Sequence, residues 1–206
     1  MAQLASKKVK VVLSGEGADE IFGGYVRYLP IANEYSIRKK FPSYNSYLFK
    51  KYFKNSSYVN SFSEITNRNK KYMNLTKTAL TPFFKTFDDP VNAMGYADFK
   101  LVMPSLLQMG DRMASSFGVE NRCPFLDKRI IEFGFSLPPD KKIKNYEQKY
   151  ILRSIAKKRG LYDAVNMEKK GLIVVYNNWM KIKDWDRSHY FKYIKKLNSI
   201  NNRKYI

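Results

Sequence analysis

Val9-Lys10-Val11-Val12-Leu13-Ser14-Gly15-Glu16-Gly17-Ala18-Asp19-Glu20-Ile21-Phe22-Gly23-Gly24-Tyr25 is the stretch on which the reading of this chain turns. It opens with a short β-branched, apolar run, the pattern of a buried strand. Glycines follow, then acidic residues with Ile21 and Phe22, which reads as a turn into a helix. A strand that feeds a helix through glycines leaves backbone N–H groups free to cradle a phosphate. Yet the loop is acidic, with Glu16, Asp19 and Glu20, and lacks the Gly-Lys-Ser/Thr of a P-loop. Carboxylates beside a phosphate repel it unless a hard cation such as Mg²⁺ lies between them. The residues alone therefore read as a Mg-nucleotide loop distinct from the P-loop. The competing reading is an acidic start to an ordinary helix, since acids favour helix N-termini.

The 206 residues fit one domain, long enough to bury a core. Apolar and aromatic fractions of 44% and 16% exclude a disordered chain. Neither a secretory signal pattern nor an apolar run approaching a membrane span is present, so a cytoplasmic protein without a membrane partner is expected. A single cysteine, Cys123, excludes an intrachain disulfide, and with His189 as the one histidine a zinc site is implausible. The net charge of +20 suits nucleic acid or anionic lipid. However, the lysines are scattered through Asn- and Tyr-rich sequence, which favours a solvated basic face over a nucleic-acid site. Part of that surface could also dock against another portion of the protein.

Along the chain, Tyr28 to Phe41 reads as a helix broken at Phe41-Pro42-Ser43. Residues 44–90 read as helical pieces stopped at Pro82 and Pro90, with aromatics such as Tyr44, Tyr47, Phe49, Tyr52 and Phe53 serving as core. From Pro90 to about Gly118, Met94, Ala97, Leu101, Leu106, Met109 and Met113 suit a buried helix that Pro104 kinks or divides. On it Asp111 and Ser115 share a face. Pro124 and Asp127 bound a turn into the amphipathic Lys128–Phe135, which Leu137-Pro138-Pro139 stops. Glu147 to Lys158 reads as a helix with Tyr150, Ile151, Ile155 and Ala156 inward, closed by Gly160. Residues 181–206 form a basic, aromatic tail.

Three blocks carry a family resemblance. Ser14-Gly15-Glu16-Gly17-Ala18-Asp19-Glu20 with Phe22-Gly23-Gly24-Tyr25 closely resembles the second nucleotide-site motif of glutamine-hydrolysing asparagine synthetases. Asp111-Arg112-Met113-Ala114-Ser115, then Gly118-Val119-Glu120-Asn121-Arg122-Cys123-Pro124-Phe125-Leu126-Asp127, is similar to that family's Asp-Arg…Glu-x-Arg-x-Pro-Phe-Leu-Asp signature. Glu147-Gln148-Lys149-Tyr150-Ile151-Leu152-Arg153 resembles its Lys-x-x-Leu-Arg segment. A weaker fourth match is Lys169-Lys170-Gly171-Leu172 with Trp179. The blocks stand in the family's order over roughly residues 8–180.

The resemblance implies an α/β lineage, that of the adenine nucleotide alpha hydrolase-like synthetase domains. This portion would be mostly α-helical with one N-terminal parallel-sheet strand, residues 1–180 forming the domain part and 181–206 the tail. The implied reaction is ATP-dependent amide formation. Aspartate attacks the α-phosphorus of ATP to give a β-aspartyl-adenylate and pyrophosphate, and ammonia then gives asparagine and AMP. ATP and Mg²⁺ are the implied cofactors; aspartate and ammonia, free or derived from glutamine, are the other substrates. By matched position Ser14, Gly15 and Gly17 would contact ATP, and Asp19 would ligate the metal. Glu16 would act near the reacting centre in proton transfer, and Lys149 would reach phosphate or adenylate as a point charge. Glu120 and Arg122 would form a buried pair in the site wall, while Asp111 and Arg112 line the substrate pocket or serve structure. Cys123 stands where the family more often has valine and reads as a small apolar residue. Residue 2 is Ala2, not the cysteine nucleophile of a glutaminase domain, and the family's Ser-Gly-Gly-x-Asp-Ser pyrophosphate loop is not in the sequence. The chain is thus expected to be part of a synthetase, inactive alone and served by a companion chain carrying the glutaminase and pyrophosphate-loop portions. A non-catalytic remnant or partner subunit, and a related amide- or lactam-forming synthetase, are the alternatives.

Overall fold

The structure, a computed structural model, describes residues 1–45, 47–52, 57–66 and 70–167. Strand β1 (Val11–Leu13) lies parallel to β2 (Glu120–Arg122), with Val11 opposite Glu120 and Leu13 opposite Arg122. Helix α1 (Ala2–Ala5) precedes β1. The long crossover between the strands holds α2 (Ala18–Phe22), α3 (Leu29–Lys40), α4 (Tyr47–Tyr52), α5 (Tyr58–Thr66), α6 (Lys70–Thr86), α7 (Pro90–Leu101) and α8 (Met103–Ser115). After β2 come α9 (Lys128–Ser136), α10 (Pro139–Lys142), a hairpin of β3 (Ile143–Lys144) and β4 (Glu147–Gln148), α11 (Tyr150–Lys158) and α12 (Tyr162–Asn166). No helix among the described residues is long and apolar enough to cross a membrane.

Most of the expected helices are present, and the departures have physical causes. The chain has a second parallel strand where one was expected. Glu120-Asn121-Arg122 has little intrinsic strand propensity and becomes a strand only because β1 offers it a ladder. Pro104 divides the long apolar segment as expected, sitting in the first turn of α8, where its missing N–H costs nothing. Pro82, in contrast, does not stop α6. Pro82 and Thr78, whose carbonyl it deprives of a partner, both face solvent, while Leu80 of the same helix is anchored in the core. The helix expected from Glu147 starts only at Tyr150. Its first residues pair instead with Ile143 and Lys144 across a two-residue turn, in which Asn145 and Tyr146 both adopt positive φ. Ile155, expected inward, is exposed, as are Leu101, Met109 and Met113.

Two cores fix the molecule. Tyr28, Ile31, Phe49, Phe62, Leu80, Val91 and Met94 gather α3 to α7. Of the aromatics expected as core, Phe49 is buried there, whereas Tyr47 is exposed and Phe53 lies outside the described residues. A second cluster centres on Ile21 and Phe22 of α2 and includes Phe125, Leu126, Ile130 and Ile151. Helix α2 is pinched between two glycines. A Cβ on Gly95 would lie 2.3 Å from the Glu20 carbonyl oxygen, and one on Gly134 would lie 2.0 Å from Ile21 Cγ2. Asp127 caps α9 by accepting from the Arg129 N–H at 2.9 Å, and the Arg129 guanidinium beside it holds its carboxyl down at about 2.

Lys142 is buried at the end of α10, its ammonium donating to Asn92 Oδ1 and lying 4.8 Å from the centre of the Phe135 ring. Desolvation pushes this amine down from 10.5 to about 7, against the opposing field of Asp89.

Two outcomes follow for stability. Gly95→Ala drives a methyl into rigid backbone and is expected to cost about 1–3 kcal/mol in urea unfolding with an unchanged m-value. Between pH 7 and 10.5 the unfolded chain binds a proton at Lys142 that the folded chain does not, so this group's contribution to stability rises with pH across that window. Below pH 7 its penalty is present in full. Lys142→Met is expected to flatten the rise; identical pH dependence of wild type and variant in chemical denaturation would contradict it.

Candidate functional site

The β1–β2 pairing joins the first two motif blocks at one loop. Ser14 N–H donates to the Arg122 carbonyl at 2.9 Å, which carries the loop Ser14–Gly17 past the end of β2. There Ser14 Oγ and Cys123 Sγ are 3.3 Å apart, and Cys123 Sγ donates to Glu16 Oε2 at 3.3 Å. Burial, and the Glu16 carboxylate beside it, push the Cys123 thiol up, so it remains a protonated donor. Gly110 of α8 faces the same carboxylate, since a Cβ there would stand 3.1 Å from Glu16 Oε1 and 3.4 Å from Asn121 Nδ2. Asn121 Oδ1 is buried without a hydrogen-bond partner among the described residues.

The third block meets the other end of that loop. Lys149 adopts a left-handed conformation (φ 51°) between β4 and α11, and its Nζ lies 3.1 Å from Asp19 Oδ1. The pair closes over Gly24, where a Cβ would collide with Asp19 Oδ1 and lie 2.6 Å from Lys149 Cε. Gln148 Nε2 donates to the Gly24 carbonyl at 2.9 Å. Beneath, Tyr25 Oη donates to the buried Glu20 at 2.5 Å, and burial raises the Glu20 carboxyl above its usual range. Arg27 donates to the buried Asp98 at 2.7 Å, and Tyr28 Oη donates to the same oxygen.

The structure thus brings together Ser14, Glu16 and Cys123 at one end of the loop, and Asp19 and Lys149 at the other. Gly15 borders open space, with no atom near a Cβ built on it. Gly17 does not: its positive φ is needed for the turn, and Leu126 fills the room a side chain would take. Asp111 and Arg112 lie exposed on α8 beside Gly110. Glu120 and Arg122 do pair at 2.9 Å, but at the surface, not buried. They are two apart on a strand and share its face, which no described element covers. Each holds the other in its charged form. Lys169, Lys170, Gly171, Leu172, Trp179, His189 and the boundary at residue 180 lie outside the described residues. Cys123 as the partner of both Ser14 and Glu16, with Gly110, Asn121, Glu20 and Tyr25, was not foreseen as part of the site. Glu20, Tyr25, Asn121 and Cys123 lie inside the quoted motif blocks, which was the signal available for them; Gly110 lies just before the second block and carried none.

The family described as asparagine synthase matches residues 1–203. The chain belongs to the asparagine synthase family. Asparagine synthetase [glutamine-hydrolyzing] 1 of Bacillus subtilis (strain 168) is 30% identical over 220 residues, covering 91% of this chain and 34% of that protein. Asparagine synthetase [glutamine-hydrolyzing] 3 of the same organism is 31% identical over 148 residues, 71% of this chain and 24% of that protein. Amidase chry2 of Gibberella zeae is 32% identical over 98 residues, 44% of this chain and 15% of that protein. The chain spans about a third or less of the length of these relatives. No solved structure matches it.

The donor set fits a hard cation in part. Among the described residues no group of three or more His, Cys, Asp or Glu side chains could hold a metal, and the Asp19 carboxylate lies beside Lys149. Both side chains of that pair are about a quarter exposed (27%). A double-mutant cycle of Asp19→Ala and Lys149→Ala is therefore expected to give a coupling of only ~0.2–1 kcal/mol in stability. A coupling several times larger would mark the pair as structural.

Proposed function

We propose that this chain supplies the carboxylate-and-lysine part of an ATP-dependent, amide-forming site, with aspartate and ammonia as co-substrates and asparagine as product. One observation carries the reading: three separate motif blocks converge on the single loop Ser14–Asp19, with Glu16 at one end and the Asp19–Lys149 pair at the other. Triphosphate and aspartate are both anionic, so a site that joins them needs positive charge and donors aimed at the developing charge. Lys149 supplies such a charge. Mg²⁺, held through Asp19, would neutralise triphosphate oxygens. Asp19 and Lys149 would exchange each other for metal and phosphate, a change made easy by the weakness of a partly exposed pair. Gly15 gives the nucleotide room to approach, and Ser14 places a hydroxyl beside it. Glu16, which accepts from the Cys123 thiol and faces Gly110, would take a proton from attacking ammonia. On this reading Asp111 and Arg112 would line the aspartate pocket or serve structure, and Glu120 and Arg122 would belong to the site wall as a surface pair.

The reading carries with it an adenine nucleotide alpha hydrolase-like lineage and a cytoplasmic setting, where ATP is at hand. The remaining parts of the site, a pyrophosphate loop and a source of ammonia from glutamine, would come from further polypeptide. Parallel sheets are normally covered on both faces. Here Val11 and Leu13 of β1 are exposed, as are Met109, Met113 and Phe117 in and just after α8. That apolar surface is the expected contact for the companion portion. The relative named an amidase favours a second reading, in which the same site works on an amide other than asparagine.

Calorimetric titration of Mg-ATP into the purified chain tests the proposal. Wild type is expected to bind, and Glu16→Ala/Asp19→Ala and Lys149→Ala each to weaken binding by about tenfold or more, ~1.4 kcal/mol. Failure of a folded wild type to bind would show that the chain does not form its half of the site unaided. Aspartate, ATP and ammonia are expected to give no asparagine with the chain alone. Pyrophosphate release with the companion portion, measured over a panel of carboxylates, separates the asparagine reading from the alternative amide.

A further inference from the structure

Lys142 has no role in the chemistry above, yet among the described residues it is the one lysine or arginine that is fully buried, 1% exposed. Its location is informative. It ends α10 at the root of the β3–β4 hairpin, and Lys149 follows the hairpin's other strand. The ammonium donates to Asn92 Oδ1. Asn92 is itself fixed three times: its N–H donates to Asp89 Oδ1 at 2.8 Å, and its Nδ2 donates to Asp89 Oδ2 at 2.9 Å and to the Leu137 carbonyl at 3.0 Å. Lys142 is thereby tied to the first turn of α7 and to the turn after α9.

The tether reaches the candidate site in two steps. Ile143 rests on Gly23, where a Cβ would be 3.0 Å from Ile143 Cγ1 and 3.5 Å from Lys142 Cβ. On the other strand Gln148 donates to the Gly24 carbonyl, and Lys149 closes on Asp19. The hairpin therefore grips the Gly23-Gly24 turn from both strands. Its strands are two residues each, too short to hold a position by their own pairing. An apolar side chain would occupy the place of Lys142 with less desolvation, so a polar tether in this position contributes direction more than stability.

We propose that Lys142 is a positioning residue: by pinning the hairpin root to Asn92 it fixes where Lys149 stands against Asp19. The inference rests on the role given to Lys149 above, and its test needs no nucleotide. In the full chain carrying ¹³C-labelled lysine, the Lys149 Cε resonance is assigned by its loss in Lys149→Arg. In Lys142→Met that resonance is expected to move toward the position of a free lysine. The amides of residues 143–149 are expected to exchange about tenfold faster, while those of α3 and α7 keep their wild-type rates. Ile143→Ala thins the same contact without touching the buried ammonium, gives the same changes to a smaller degree, and serves if Lys142→Met does not fold. An unmoved Lys149 resonance in either folded variant overturns the proposal. So does faster exchange spread evenly over all helices, which marks a purely structural role. Loss of Mg-ATP binding in Lys149→Ala is read separately, so a failure of the nucleotide reading is distinguishable from a failure of the tether.

Discussion

Val11 opposite Glu120, Val12 opposite Asn121 and Leu13 opposite Arg122 join the two ends of a crossover made of helices α2 to α8. The Ser14–Glu16–Cys123 end of the candidate site depends on this pairing, because it brings together residues more than a hundred positions apart. Neither strand is self-sufficient. Each is three residues long, and β2 is polar throughout. What delivers β2 is the end of α8, where Val119 N–H returns to the Ala114 carbonyl and Gly118 N–H to that of Ser115, the double closure of a Schellman turn. The chain leaves that turn extended and aimed along β1. Cys123 follows β2 directly, which is why its thiol meets Ser14 and Glu16.

Below the loop the polar groups are buried and compensated; at its rim they are exposed and exchangeable. Glu20 accepts from Tyr25, and Asp98 from Arg27 and Tyr28, in the interior, where removing a donor leaves a buried carboxylate uncompensated; Arg27 Nε alone in this set has no partner among the described residues. They hold the floor rigid. Asp19 with Lys149 sits at partial exposure, where an ion pair gains little and a stronger ligand can replace either partner. A binding site needs both: a fixed frame for geometry and weakly held charges for exchange. The glycines at 95 and 134 serve the frame by letting α2 lie closer to α7 and α9 than any side chain would allow.

The loop, its acidic residues and the existence of the strand before it were legible because glycines, β-branched residues and carboxylates act locally and leave fixed spacings. The burial expected of that strand was not met, since Val11 and Leu13 are exposed. The break at Pro104 and the turn bounded by Pro124 and Asp127 were legible through the same local action, as each concerns residue types that act on their own neighbouring backbone; that Asp127 caps α9 came only from the structure. Glu120–Arg122 was read correctly as a pair but wrongly as buried. Pairing at two-residue spacing is local, whereas burial depends on what covers the face. Lys149 was identified by its motif, but its left-handed backbone and contact with Asp19 were not, because the hairpin that displaces the expected helix start is stabilised by Gly23, Gly24 and Asn92 from distant segments.

By itself the sequence determined the helical content, the acidic glycine loop and the family, since these rest on residue type and on spacing along the chain. The tertiary structure alone decided that Glu120-Asn121-Arg122 is a strand, that Cys123 faces Glu16, that Lys149 faces Asp19, and that a lysine is buried beneath them. Those facts concern which distant segments share a surface, and that is settled by the packing free energy of the whole chain and by no local preference within it.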